Sequence, residues 1–209
     1  MSPRAEMCGG LSFGMIRTAI LIDGGHLRVL VRKAGFQYTP EFVEKIALAC
    51  CGKSEELYRV LYYDCPLYTG KTKLPVSGKP HEFTGSDSWL RQMAAKELFA
   101  VRRGQLKFRG WKPKNLPVST QGLTDADFDP DFEQKGVDMR IGLDIATFCE
   151  TRAVQRIALI TNDTDFIPAM KYGRIAGLQI ILVSFPTFSV AHELLSHSDF
   201  RREIPWPKT

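Results

Sequence analysis

Apolar residues fall into two kinds of run along this chain. Four short stretches are nearly continuously apolar and rich in β-branched or aromatic side chains: 17–23 (RTAILID), 57–64 (LYRVLYYD), 155–161 (QRIALIT) and 179–184 (QIILVS). Each reads as a strand. Between them apolar positions recur at helical spacing. Phe42, Ile46 and Ala49 mark a helix over 40–51, with Pro40 suited to its first turn. Leu90, Met93, Ala94 and Leu98 mark one over 88–99, and Val137, Ile141, Ile145 and Phe148 one over 136–152. Segments 26–34, 165–176 (closed by Gly177) and 190–196 complete the helical set. The stretch 101–111 alternates weakly and reads as one strand or as a hairpin around Gly104. Segments 66–86, rich in Pro, Gly, Ser and Thr, and 112–134, rich in acids, read as long loops.

Near-continuous apolar strands separated by helices indicate a parallel sheet covered on both faces. The expected fold is therefore α/β: three layers, Rossmann-like, around a mainly parallel central sheet. The chain has 209 residues, 44% of them hydrophobic, enough for one packed domain without metal or disulfide staples. We place that domain at 15–200, after a disordered leader (1–14) and before a C-terminal tail (201–209). No apolar run approaches the ~20 residues of a membrane span, and the first residues lack the apolar core of a secretory signal. Cys8, Cys50, Cys51, Cys65 and Cys149 form no CxxC pair and read as thiols of a reducing, cytoplasmic setting. Neither GxGxxG nor GxxxxGK[ST] is present, which argues against a dinucleotide or P-loop site.

The chemistry lies in the carboxylates. In parallel α/β sheets, sites form outside the carboxyl ends of the strands. Here the strand over 17–23 ends in Asp23, the strand over 57–64 ends in Asp64, and Asp163 and Asp165 follow the strand over 155–161. Asp138 sits in the first turn of the helix leading into that last strand. Singly, each has a plainer role as a turn residue, a helix cap or a partner of a helix dipole. Together they crowd like charges at one sheet edge, which a cation would offset. Oxygen donors in that number suit Mg²⁺ or Mn²⁺. Asp64, which precedes Cys65–Pro66, ranks second because it could merely open the loop.

Net charge is +5, unevenly spread. Residues 91–114 hold eight basic residues against one acid, and 125–138 hold six acids against Lys135. A polyanion-binding surface beside a metal site has this distribution; so do two solvated loops.

ILIDGGHL (20–27), VLYYDCP (60–66), QKGVDMRIGLDIA (134–146) and LITNDTDFIPAMKYGRIAGLQIILV (159–183) occur in the order found in the NYN domain, and the chain resembles that family of PIN-like nucleases over roughly residues 16–197. The KGVD and NDTDF segments are the specific parts. The resemblance implies an acidic pocket that binds Mg²⁺ or Mn²⁺ and an activity that cleaves RNA phosphodiesters. It places the family's aspartates at Asp23, Asp138, Asp163 and Asp165. Two positions depart from the usual pattern: His26 stands where the family's DGxNL has asparagine, and TNDTDF replaces SGDSDF.

On this reading Asp23, Asp138 and Asp163 hold a metal directly, and Asp165 acts through water or on a second ion. Lys135 and Asn162 are candidate phosphate contacts; His26, Thr161 and Thr164 stand in the second rank with Asp64. Asp144 lies ~120° round the helix from Asp138 and so off the pocket's face. Arg102, Arg103, Lys107 and Arg109, interleaved with Phe99, Phe108 and Trp111, form a candidate track for single-stranded RNA, with Trp111 as a stacking platform. A second copy of the chain is the other candidate partner. Two rivals remain. A Toprim-type site would need a glutamate at an earlier strand end, where this chain has Asp23. A non-catalytic PIN-like module that binds RNA or protein would keep the fold without needing the four carboxylates.

Overall fold

The computed structural model of the chain describes residues 14–117 and 122–208. All of the expected leader except Gly14 lies outside the described residues, Cys8 with it. The chain opens with β1 (Ile16–Asp23), α1 (Gly24–Lys33), α2 (Pro40–Ala49) and β2 (Glu55–Asp64). It continues through β3 (Gly70–Lys73), β4 (Pro80–Phe83), α3 (Ser88–Ala94), β5 (Phe99–Arg103) and β6 (Gln105–Pro113). A 3₁₀ turn at Asp125–Asp127 leads into β7 (Phe128–Lys135), α4 (Val137–Thr151) and β8 (Arg156–Ile160). A second 3₁₀ turn, Thr164–Phe166, leads into α5 (Ile167–Ile175), then β9 (Gln179–Ser184), α6 (His192–Ser196) and β10 (Phe200–Glu203).

Six strands form one sheet in the order β10-β9-β8-β1-β2-β5, with every pairing parallel. Counted in chain order, this is the 3-2-1-4-5-6 arrangement of doubly wound folds. Strand alternation divides the core. Ile20 and Ile22 of β1 face α1, α2 and α3, packing with Leu27, Val31, Phe42, Ile46, Leu90 and Met93. Ala19 and Leu21 face α4, α5 and α6, packing with Ile141, Ile145, Phe166, Met170 and Leu194. The strands read as continuous apolar runs because both faces are buried. Thr39, whose hydroxyl accepts the Phe42 N–H at 3.2 Å, caps α2 just before Pro40.

Several local expectations are corrected. The helix expected over 88–99 stops at Ala94, because Phe99, Val101 and Arg103 join β2 as the outermost parallel strand. Leu98, at φ +62°, turns the chain into it. The loop expected over 66–86 contains the β3–β4 hairpin, and the acidic loop expected over 112–134 contains β7, which pairs antiparallel with β6. The weak alternation over 101–111 has a physical cause. At Gly104 the chain leaves the central sheet for the β6–β7 ribbon, passing so close to Cys65, Val137 and the Lys135 carbonyl that a Cβ would sit 2.7–2.9 Å from them. A bulge then breaks the register between Phe108 and Gly110, where φ is +120°. It leaves Phe108 and Trp111 in one aromatic cluster with Phe132, Phe83 and Tyr68.

The tail expected from 201 also contains structure: β10 pairs with β9, Ile204 is buried, and Trp206 stacks on Phe185 at 4.3 Å between ring centres. Arg202 of β10 reaches the buried Glu55 at the opposite end of the sheet from Asp23. Among the described residues no helix is long and apolar enough to cross a membrane.

Candidate active site at the carboxyl edge of the sheet

Strand order reverses between β1 and β8, so a crevice opens at their carboxyl ends. Asp23 is the last residue of β1 and the cap of α1, its Oδ1 accepting the His26 N–H at 3.1 Å. Asp163 follows β8 and caps the 3₁₀ turn, its Oδ1 accepting the Asp165 N–H at 2.9 Å. Both aspartates therefore play the plainer capping role, and both still line an open cleft of about 490 Å³ with His26, Gln134, Asn162 and Thr164. Thr161 ties the two together. Its buried hydroxyl donates to Asp23 Oδ2 at 3.4 Å and accepts the Asp163 N–H at 3.1 Å. Asn162 is held differently, its Oδ1 accepting the Ala191 N–H at 2.7 Å.

Asp138 sits on the first turn of α4 and does not line the cleft itself, yet its charge reaches it. Burial raises the pKa of Asp23 above the ordinary carboxylate value; the His26 N–H opposes this, and the charges of Asp138, Asp64 and Asp163 add to it. Burial likewise raises Asp138, with Asp163 and Asp165 adding to it. Among the described residues none of Asp23, Asp138, Asp163 or Asp165 forms an ion pair within 4.0 Å. The four are a cluster of uncompensated, mutually repelling oxygen donors. By charge and donor type they fit a hard divalent cation. Among the described residues, however, no three His, Cys, Asp or Glu side chains are arranged to hold an ion; Asp23 and Asp163 are oriented by the backbone groups they cap.

His26 faces the cleft from α1; burial lowers its pKa, and Asp163 works against that. Asp64 is differently placed. Its side chain is 1% exposed and pairs with Arg28, while Tyr62 Oη (3.0 Å) and the Cys65 N–H (2.8 Å) donate to it. Burial nevertheless raises its pKa, against the pull of Arg28. Sequence reasoning missed Arg28, Tyr38, Tyr62 and Gln134, which form this neutralising layer beside the cleft. Arg28 lies one turn after Gly24 on α1, a spacing that could have flagged it. Gln134 reaches the site only because β7 is a strand.

The basic segment differs from an open phosphate track. Arg102 makes a two-pronged contact to Asp144 (2.8 and 3.0 Å), which Tyr63 Oη also approaches at 2.8 Å. Asp144 thus points away from the carboxylate cluster. Arg103 pairs with Asp87 (3.0 Å) and Arg109 with Glu133 (2.9 Å), and Lys112 and Lys114 face Asp131 and Asp129. The last part of the basic block and the middle of the acidic block run along the two strands of one ribbon, β6 and β7, and there they largely neutralise each other. Lys135 Nζ lies 3.6 Å from Glu133. Among the described residues Lys107 makes no ion pair. Trp111 Nε1 donates to the Lys73 carbonyl at 2.8 Å, and its ring belongs to the aromatic cluster that fastens the β3–β4 hairpin to the ribbon.

An all-parallel doubly wound sheet with an acidic crevice at its switch point defines a three-layer, PIN-like α/β protein. The chain belongs to the NYN domain family, whose model matches residues 82–202. That family lies among the PIN-like nucleases. The matched stretch contains Asp138, Asp163 and Asp165 and begins after Asp23. A crystal structure of a protein of unknown function from Vibrio parahaemolyticus is similar in fold, with a TM-score of 0.52 and 16% sequence identity over 92% of this chain and 95% of that one. No curated protein matches the chain.

Proposed function

We propose that this protein is a Mg²⁺- or Mn²⁺-dependent ribonuclease that hydrolyses phosphodiester bonds of single-stranded RNA, acting as an endonuclease. The observation that carries this reading is the set of carboxylates without counter-charge at the switch point. A phosphodiester is itself anionic and would be repelled from Asp23, Asp138 and Asp163 unless a cation stood between them. Asp23, Asp138 and Asp163 would hold a divalent ion, with Asp165 acting through water or on a second ion, and the ion would supply Lewis acidity toward the phosphoryl group and lower the pKa of a water.

The chain's own residues do the rest. Thr161 and the capped turns fix Asp23 and Asp163 with respect to each other. Asn162, Thr164 and His26 line the cleft as neutral contacts for phosphate or its waters. Lys107, and Lys135 with its loose 3.6 Å contact to Glu133, are the cations we assign to flanking phosphates. Cys50, Cys51, Cys65 and Cys149 are free thiols, which suits the reducing cytoplasm. The domain start at 15 carries over into this proposal, and its end moves beyond 200 to take in β10.

The test is cleavage of labelled single-stranded and structured RNAs, with matched DNAs, in Mn²⁺, Mg²⁺ or EDTA, beside an Asp163→Asn variant. We expect cutting of RNA that needs the metal and is lost in the variant. Tight RNA binding without cutting under any metal would overturn catalysis and identify a non-catalytic RNA-binding module.

A further inference from the structure

A second pocket, of about 250 Å³, lies beside the cleft and shares Gln134 with it. Its walls are mostly apolar: Leu90 and Leu106 from α3 and β6, and Tyr38 with Trp89, whose rings stack 5.1 Å apart and 7° from coplanar. Arg28 and Arg32 from α1 also line it. Arg28 is engaged with Asp64, whereas Arg32 is exposed and makes no ion pair among the described residues. We infer that this pocket takes one unpaired nucleobase of the strand whose phosphate occupies the neighbouring cleft, with Arg32 holding an adjacent phosphate. The inference rests on the ribonuclease reading and adds to it a base-binding subsite.

Three observations favour this occupant. The volume corresponds to roughly eight waters at liquid density, enough for one flat ring system and too little for a helical stem. An apolar, aromatic-walled slot with a cation is what a base and its phosphate need together. Continuity through Gln134 means that a strand lying over Asp23 passes the mouth of the pocket. A base paired within a duplex would have to be extruded to enter, so the subsite selects unpaired nucleotides.

The test walks a single abasic residue along a short RNA and measures binding by fluorescence anisotropy with the Asp163→Asn protein, while wild type is assayed for cleavage on the same RNAs. We expect one register at which loss of the base weakens binding roughly 5- to 150-fold, the range that stacking of one base supports. Leu67→Trp, which fills the pocket from a rim position 63% exposed, should weaken intact RNA similarly and leave that abasic RNA unchanged. Arg32→Ala should lower the salt slope of binding by about one. A flat abasic scan with RNA still cut overturns the subsite and leaves the ribonuclease reading standing. Free mononucleotides that bind the pocket while the scan stays flat would make it a nucleotide site unconnected to the strand. No cutting with a register-specific penalty retains the subsite and overturns catalysis; no cutting and no binding overturns both. If Leu67→Trp does not fold, the abasic scan decides alone.

Discussion

Replacing Thr161 by valine removes one oxygen from a side chain that is 1% exposed and keeps its shape. That oxygen accepts the Asp163 N–H at 3.1 Å and donates to Asp23 at 3.4 Å. The second contact is long and contributes at the low end of the usual range, whereas the first leaves a partly buried backbone donor without its acceptor. Such an orphaned group costs about 1–3 kcal/mol. A domain of this size has ~5–15 kcal/mol in hand, so the variant folds. Urea denaturation should show a lower midpoint at unchanged slope. Asp23, already raised by burial, loses a donor to its charged form and should bind a cation less well, so metal-dependent RNA cleavage should fall at least tenfold at subsaturating Mn²⁺ and recover in part as the metal is raised. Thr161→Ser keeps the hydroxyl and should recover most of both losses. A Thr161→Val protein within 0.5 kcal/mol of wild type, with an unchanged Mn²⁺ dependence, would refute the idea that this hydroxyl organises the two carboxylates.

Asp23→Asn keeps a capping side chain for α1 and removes a charge from the cluster. Because the folded-state pKa of Asp23 lies above its unfolded value, the stability it contributes is complete below that unfolded value and is lost as pH rises through the folded one. The variant's Tm should therefore gain on wild type from pH 4 to pH 7, and Mn²⁺ should raise the Tm of wild type far more than that of the variant. Glu55 works in the opposite sense: against a burial that would raise it, hydrogen bonds from Arg202, the Gly52 N–H and Arg156 hold its pKa down to about 2. The stability this contributes is present above pH 4.5 and is lost as pH falls toward 2. Denaturation of Glu55→Gln across that window should be flatter with pH than wild type. In RNA binding, Lys107→Ala should reduce the slope of log affinity against log salt by about one, whereas Arg102→Ala, whose guanidinium is already engaged by Asp144, should leave the slope unchanged. An equal effect of the two substitutions would show that the Arg102–Asp144 pair opens to take up phosphate.

The ribbon gives the charge distribution a different meaning from the one its blocks suggest. Arg109, Lys112 and Lys114 pair diagonally with Glu133, Asp131 and Asp129. Part of the basic block is therefore neutralised within the fold; of the ribbon's basic residues, Lys107 alone makes no ion pair among the described residues. Exposed pairs of this kind add little stability, typically ~0–1 kcal/mol each; the apolar contacts of the ribbon come from Phe108, Trp111 and Phe132.

The central sheet and its helices were legible in the amino-acid sequence because burial on both faces writes itself as unbroken apolar runs, AILI in β1 and IALI in β8, with helical stripes between them. The candidate aspartates were legible for a related reason: chain direction and strand ends are local properties, and Asp23, Asp138 and Asp163 are placed by them. The ribbon, the hairpin and β10 were not. In the ribbon a bulge at Gly110 shifts the period and Gly104 moves the chain between sheets, while β3, β4 and β10 are each four residues, too short to show a period. Only long-range pairing makes Asp129 and Glu133 strand residues, or turns Phe99 from the end of a helix into an edge strand. The tertiary structure alone also decided which charges stay uncompensated. Arg28 finds Asp64 and Arg102 finds Asp144 across 36 and 42 residues of chain, while nothing basic among the described residues pairs with Asp23, Asp138 or Asp163; the switch between β1 and β8 turns Asp23 and Asp163 toward an open cleft, and Asp138 stands on α4 beside them.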